Sequence, residues 1–337
     1  MKVLFIGDPH LKIGRFDLAV SFLTWLNKLI VEQKPDLVVN LGDTFDTHAV
    51  LRSEVLNEFM NHVYQVLRLD IPYVYLVGNH DMYKPHDPKY HAMLPFKGKI
   101  KDFYVVDEPT ELFDMTFVPY QYDGSKFPKE TLPICVAHQT FIGADYGPIR
   151  ATEGVDATSI KGCELLISGH IHTKAVLGSV LYVGSPFSQS AADVDQVKGI
   201  TILDTDTFKH TFHQCPLPMW RKIQVELSQL CDVDLAHKFI SSSVKGTSDH
   251  WVVEMSGPKA ELVGYLSSAR YKEAILGIDV KVKVTFTDNE KKKISIEAKS
   301  MEHIISEYVA KVYDGSIDKD ELTKLAKSVL SESRLEK

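Results

Sequence analysis

Apolar and polar positions alternate in blocks along the first hundred residues. Residues 3–6 form a strand-like apolar run that stops at Gly7-Asp8. Residues 16–31 place Leu18, Phe22, Trp25, Leu26, Leu29 and Ile30 at helical spacing. Residues 36–41 read as a second strand, again ending in Gly-Asp. Residues 51–67 read as a second helix, through Leu51, Val55, Phe59, Val63 and Val66. A third strand at 73–77 runs into Gly78-Asn79-His80. This strand–helix–strand–helix–strand order predicts a mostly parallel sheet, buried on both faces. Such sheets present functional groups just past the carboxyl ends of their strands. All three strands end there in polar, metal-capable residues.

From residue 103 to 212 the strand-like runs crowd together: 103–106, 115–118, 134–137, 164–167, 180–183 and 199–203. They predict a second sheet packed on the first. Pro216 and Pro218 then break the chain. Strand patterns at 220–227, 251–255 and 279–286 alternate with helical patterns at 233–243 and 260–269, which predicts a small βαβαβ domain. A Lys291-Lys292-Lys293 turn follows, then two amphipathic helices. The first carries Met301, Ile304, Ile305, Tyr308, Val309 and Val312 on one stripe, and the second covers 319–331. Those stripes either pack back on the body or dock another helix. The expected domains are 1–215, 216–287 and a helical segment at 298–337.

Composition narrows the class. Of 337 residues, 44% are hydrophobic and 25% charged, a globular balance. No apolar run approaches the roughly 18 residues that span a bilayer, and the apolar start is too short for a signal peptide. Cys135, Cys163, Cys215 and Cys231 show no C-x-x-C spacing, so they read as thiols of a reducing compartment, the cytoplasm. The net charge of −7 gives no overall basic excess. If DNA is a substrate, a local patch or a partner must supply the phosphate attraction.

Five motifs carry the candidate chemistry. They are Asp8-Pro9-His10, Gly42-Asp43-Thr44-Phe45-Asp46, Gly78-Asn79-His80-Asp81, His138, and Gly169-His170-Ile171-His172. Taken singly each is weak: a D-x-H or a G-H-x-H alone fits a turn with a surface histidine. Together they hold five of the 14 histidines, and each follows an apolar strand run. Imidazole mixed with carboxylate suits Mn, Fe, Zn or Co better than Ca. Seven side chains exceed the needs of one ion. Two ions about 3.5–4 Å apart, sharing a carboxylate, would use them all, with Asp43 as the natural bridge. The absence of G-x-S-x-G and P-loop motifs argues against serine hydrolysis and ATP cleavage.

In order and wording these motifs resemble the calcineurin-like metallophosphoesterase superfamily, over about residues 1–205. The resemblance implies an α/β fold, a two-sheet αββα sandwich. It implies one ion held by Asp8, His10, Asp43 and His172, and a second held by Asp43, Asn79, His138 and His170. It makes His80 the acid that protonates the leaving oxygen, the alternative being that His80 only orients the phosphate. The two cations would lower the pKa of a bridging water and neutralise the phosphate oxygens.

Leu11 stands where protein Ser/Thr phosphatases have glycine, and Asp46 is followed by Thr47-His48, not Arg-Gly. The layout, with Gly184-Ser185-Pro186, is similar to the SbcD-type DNA nucleases, relatives of the meiotic-recombination-eleven nuclease. Asp46 follows their bacterial and phage branch, which leaves a second catalytic histidine in doubt, although His48 is nearby. The chain is short for a bacterial member, which suits a phage-encoded protein in a bacterial cytoplasm. This resemblance implies a Mn²⁺-dependent DNA exonuclease/endonuclease with a small α/β capping domain and C-terminal helices that grip an SbcC-type coiled-coil ATPase. It also implies a homodimer, for which helix 51–67 is a candidate, Leu56 and Met60 widening its apolar face. Lys84, Lys89, Lys97, Lys99 and Lys101, interleaved with Tyr83, Tyr90 and Phe96, form a candidate DNA patch; a plain solvated loop is the other reading. The competing functions are a stand-alone phosphodiesterase or nucleotidase, and a metal-binding scaffold with little activity.

Overall fold

The fold is described from a computed structural model. It describes residues 1–287, apart from 47, 49, 50, 148, 227–232, 245–246 and 277–278. The C-terminal helices expected at 298–337 therefore lie outside the described residues, as does Cys231. Met1–Thr285 forms one compact unit.

The predicted alternation opens the chain: β1 (Lys2–Ile6), α1 (Phe16–Gln33), β2 (Leu37–Asn40), α2 (Ser53–Leu67) and β3 (Tyr73–Leu76). Helix α1 ends where Lys34 turns left-handed, its N–H bonding Ile30 O, just before Pro35, which cannot continue a helix. A hairpin, β4 (Met82–Lys84) and β5 (Asp87–His91), precedes β6 (Phe103–Val106), β7 (Thr110–Leu112), β8 (Met115–Val118) and β9 (Ile134–His138). A two-residue pair, β10 (Asp145–Tyr146) and β11 (Ile149–Arg150), leads to β12 (Leu165–Gly169), β13 (Ala175–Leu177), β14 (Val180–Tyr182), β15 (Gly199–Asp204) and β16 (His210–Gln214).

Two six-stranded sheets result, in the orders β16-β15-β1-β2-β3-β6 and β13-β14-β12-β9-β8-β7. In each the central strands are parallel; antiparallel neighbours close both edges of the second sheet and the β15–β16 edge of the first, whose other edge, β6, runs parallel to β3. Residues 103–106 and 199–203, expected in the second sheet, belong to the first. Strand periodicity fixes which face is buried but not which neighbour a strand takes.

The alternation of side chains along β1 shows the layering. Leu4 and Ile6 face α1 and α2, packing with Phe22, Leu26, Phe59 and Val63. Val3 and Phe5 face the second sheet, packing with Phe117, Val136 and Ile167. Met60 and Leu56 also join the helix-side core, so the breadth of α2's apolar face is used inside the chain. The far face of the second sheet is covered by Phe127, Phe141, Val155 and Ile160, from loops with short 3-10 turns.

Further along, β17 (Trp220–Glu226), α3 (Val233–Val244), β18 (His250–Gly257), α4 (Lys259–Ser267), α5 (Ala269–Ala274) and β19 (Val280–Phe286) build a separate three-stranded sheet, with β17 parallel to β18.

Candidate metal centre

Every motif residue sits just past the carboxyl end of a parallel strand, or on its last residue. The first sheet delivers Asp8 and His10 after β1, Asp43 after β2, and Asn79 and His80 after β3. The second delivers His138 on β9, and His170 and His172 after β12. The turns that do this are tight. His10, Asp43 and His170 hold φ of 41°, 48° and 75°, the left-handed region that non-glycine residues avoid. Gly78 must be glycine because a Cβ there would collide with Asp43 Oδ1.

The seven predicted donors converge as two adjoining groups. Asp8, His10 and His172 form one, and Asp43, His138 and His170 the other, the ligand atoms of each group lying within 4.8 Å of one another. His10 Nε2 stands 3.0 Å from His172 Nε2. Asn79 Oδ1 joins the second group, 3.1 Å from His138 Nε2 and 2.8 Å from His170 Nδ1. Asp43 Oδ2 lies between the groups, 3.3 Å from His138 Nε2 and 3.8 Å from His10 Nε2.

Surrounding groups fix the donors' orientation. Leu41 O bonds His138 Nδ1 at 2.6 Å, leaving Nε2 turned into the cluster. The His170 amide donates to Asp8 Oδ1 and the His80 amide to Asp43 Oδ1. Asp81, last residue of its motif and given no role by the sequence, accepts from the amides of Gly78, Asp43 and Thr44 and so locks two ligand turns together.

Titration behaviour follows from burial and crowding. Burial pushes His10 down to about 3; Asp43 opposes this, while His172 and His80 add to it. Burial, with His138 beside it, likewise pushes His170 down to about 3. Both rings are thus neutral, the form that offers a lone pair. Burial would lower His138 too, but the Asp43 and Asp8 carboxylates raise it to about 9. Asp8 is raised by burial and by Asp43. Burial would raise Asp43 as well, but His138, His10 and His80 outweigh it and hold this carboxyl below the usual carboxylate range. Asp81 is raised to about 7 by burial and by the Asp43 charge.

The donor set fits divalent cations. The His10 and His172 ring nitrogens face each other at hydrogen-bond distance, and buried Asp8 Oδ2 has no hydrogen-bond partner. A positive ion satisfies both, and imidazole, carboxylate and amide oxygen together suit borderline transition metals.

His80 flanks the first group. Its ring meets His10 edge-on at 4.8 Å and stacks on His48 at 4.3 Å. Its buried Nδ1 has no hydrogen-bond partner. Asp46 pairs with Lys12 at 3.2 Å. Beside the second group stand Tyr120 and Tyr146, 5.5 and 6.2 Å from the His170 ring. The five lysines do not form one patch. Lys84 and Lys89 sit on the β4–β5 hairpin with exposed Tyr83 and Tyr90, Lys97 is paired with Asp107, and Lys99 and Lys101 lie in the loop before β6. No helix of the described residues is long and apolar enough to cross a membrane.

A calcineurin-like phosphoesterase family model matches residues 1–174. The chain is 31% identical over 220 residues to protein 244L of Invertebrate iridescent virus 6, which carries a provisional phosphoesterase name; the match covers 60% of this chain and 75% of that one. It is 24% identical over 228 residues to exonuclease subunit 1 of Enterobacteria phage T4, covering 63% and 67%. It is 24% identical over 278 residues to a subunit of the SbcCD nuclease of Staphylococcus epidermidis, covering 67% and 72%.

Proposed function

This chain belongs to the calcineurin-like phosphoesterase family and is a metal-dependent phosphoesterase; from that premise we propose that it is a Mn²⁺-dependent DNA exonuclease/endonuclease, the catalytic subunit of an SbcCD-like ATPase–nuclease complex. The observation that carries the catalytic reading is the pair of donor groups meeting at Asp43, with His80 alongside. Two similar proteins named as nuclease subunits support the DNA substrate and the partner.

Asp8, His10, Asp43 and His172 would hold one ion, and Asp43, Asn79, His138 and His170 the other. Bound there, divalent cations supply a lowered pKa for the attacking water and neutralisation of the phosphate oxygens. The protein's share is positional. Asp43 spans both sites, and the Asp81 carboxylate fixes its turn through two amide bonds. His80 flanks the first donor group, its ring against His10, and gives a proton to the departing sugar oxygen. Residues 216–287 cap the substrate, and 298–337 bind the ATPase.

The acidic total favours one competing reading, a stand-alone enzyme for small phosphoesters. The test incubates the chain with Mn²⁺ and labelled duplex DNA, with and without a coiled-coil ATPase from the same genome. Parallel reactions hold bis-p-nitrophenyl phosphate or nucleoside monophosphates. The expected result is DNA degradation strengthened by the ATPase. Brisk nucleotide hydrolysis with DNA left intact in both arms rejects the nuclease reading.

A further inference from the structure

Residues 184–198 form a strap between β14 and β15, entered through Gly184-Ser185-Pro186 and left at Lys198. Its one 3-10 turn, Ala191–Asp193, is closed by a capping box between Ser190 and Asp193. Lys198 is a buried cation, its side chain 3% exposed. Its Nζ donates to the backbone carbonyl of His172 at 2.6 Å and to Gln196 Oε1 at 2.9 Å, and it pairs with Asp193 Oδ1 at 2.8 Å. The other oxygen of Asp193 accepts from the amides of Gln189 and Ser190, at 2.8 and 3.1 Å. Gln189 Nε2 in turn donates to Pro9 O at 2.8 Å and Asp8 O at 3.4 Å. Arg15 holds the Gln189 carbonyl, and the Ser185 amide makes a second bond to His172 O.

One polar network thus ties together the two loops that carry Asp8, His10 and His172. Among the described residues, no hydrogen bond from the strap reaches Asp43, Asn79, His138 or His170; Leu41 O holds His138, the Asp81 carboxylate accepts from the Asp43 and Gly78 amides, and the His170 amide donates to Asp8 Oδ1. A buried lysine is costly unless paired and hydrogen-bonded; this one is paired within the strap by Asp193 and Gln196 and carries one bond out to the His172 carbonyl. His10 is also held at φ 41°, a strained conformation that persists only when its surroundings over-determine it.

We infer that Gln189 and Lys198 are positioning residues chiefly for the first ion, holding its ligand loops in register; the second site is reached only through the segment His170 shares with His172 and the His170 amide bond to Asp8. This rests on the two-ion reading above. The strap is also where the small sheet attaches. Asp195 N donates to Trp220 O at 2.9 Å, and Trp220 N to Ser188 Oγ at 3.5 Å. The seat of β17 is therefore continuous with the support of the first ion.

The test is a Mn²⁺ titration of the full chain, read by electron paramagnetic resonance, beside thermal melting in chelator. Gln189→Leu removes the side-chain bonds to Pro9 and Asp8 and keeps the main-chain bond to Asp193. One of the two dissociation constants should rise on the order of 10–100-fold, the other by clearly less. The chelated protein should melt as wild type does. Combined with His170→Gln, Gln189→Leu should weaken the ion that remains by more than it does when combined with His10→Gln. Lys198→Met should show the same asymmetry. Equal weakening of both ions, no weakening in Gln189→Leu, or a lowered melting temperature in chelator for that variant overturns the assignment. A wild-type chain that binds fewer than two Mn²⁺ ions overturns the two-ion reading instead.

Discussion

His10, Asp43 and His170 each adopt a backbone conformation costing roughly 1–3 kcal/mol, and all three lie in the donor cluster. The fold bears this strain where donors must point inward from tight turns. In the proposed mechanism His80 is different, since it meets the cluster through its ring edge and no metal depends on it. His80→Asn should keep both Mn²⁺ ions and lower kcat by about 10²–10⁴-fold; unchanged kcat in a steady-state assay removes His80 from the acid role. Asp43→Asn should weaken both ions together, seen as loss of both in the same titration, because its carboxylate lies between the groups. Metal should also stabilise the fold. Burial keeps Asp8 Oδ2 unpartnered and imidazoles face one another, so Mn²⁺ at 100 times its dissociation constant should add about 2.7 kcal/mol per ion. Chelator melts show this as a lower melting temperature. Most donors were legible as residues because each closes an apolar run and belongs to a short polar motif. Gln189 and Lys198 were not, because nothing in their own neighbourhood reveals a bond to Pro9 or His172.

At the scale of elements, α1 and α2 pack side by side on the first sheet through an apolar seam where Asn27 makes polar contacts to both Gln65 and His62. His62 Nδ1 meets Asn27 Oδ1 at 2.5 Å, and its Nε2 is buried without a partner. Burial pushes His62 down to about 3 from an ordinary 6.5. The unfolded chain therefore takes up this proton first as pH falls. Stability is full above about 6.5 and declines toward about 3, by at most about 1.4 kcal/mol per pH unit for this one group. His62→Gln should flatten that slope in chelator, measured as urea midpoints against pH; an unchanged slope would show that His62 is already charged in the folded state. Phe59, 1% exposed and packed on Phe45, Tyr73 and Tyr75, links α2 to the second motif. Phe59→Ala should cost about 3–5 kcal/mol, checked by the same urea unfolding. Both helices and most strands were readable from periodicity. The sheet membership of β6 and β15 was not, because a run of apolar residues has the same pattern in either sheet and only long-range pairing decides.

For the whole molecule, the question is how a chain with net charge −7 would hold a polyanion. Its lysines near the centre are dispersed, and Lys97 is neutralised by Asp107. Unaided binding to DNA should therefore be weak and fade quickly with salt, since each phosphate contact releases counterions. A basic partner would supply the missing attraction, and the proposal assigns its attachment to residues 298–337. A chain ending at residue 297 should then lose ATPase binding and ATPase-stimulated DNA cleavage while still hydrolysing bis-p-nitrophenyl phosphate at the full-length rate. Pull-down with the ATPase and parallel kinetics on the two substrates separate the outcomes. If the truncated chain still binds the ATPase, the attachment lies within residues 1–297. The small sheet would then be the surface to mutate next, because its first strand is bonded to the strap beneath the first donor group. A load on that sheet could reach the metal centre through bonds the described structure already contains.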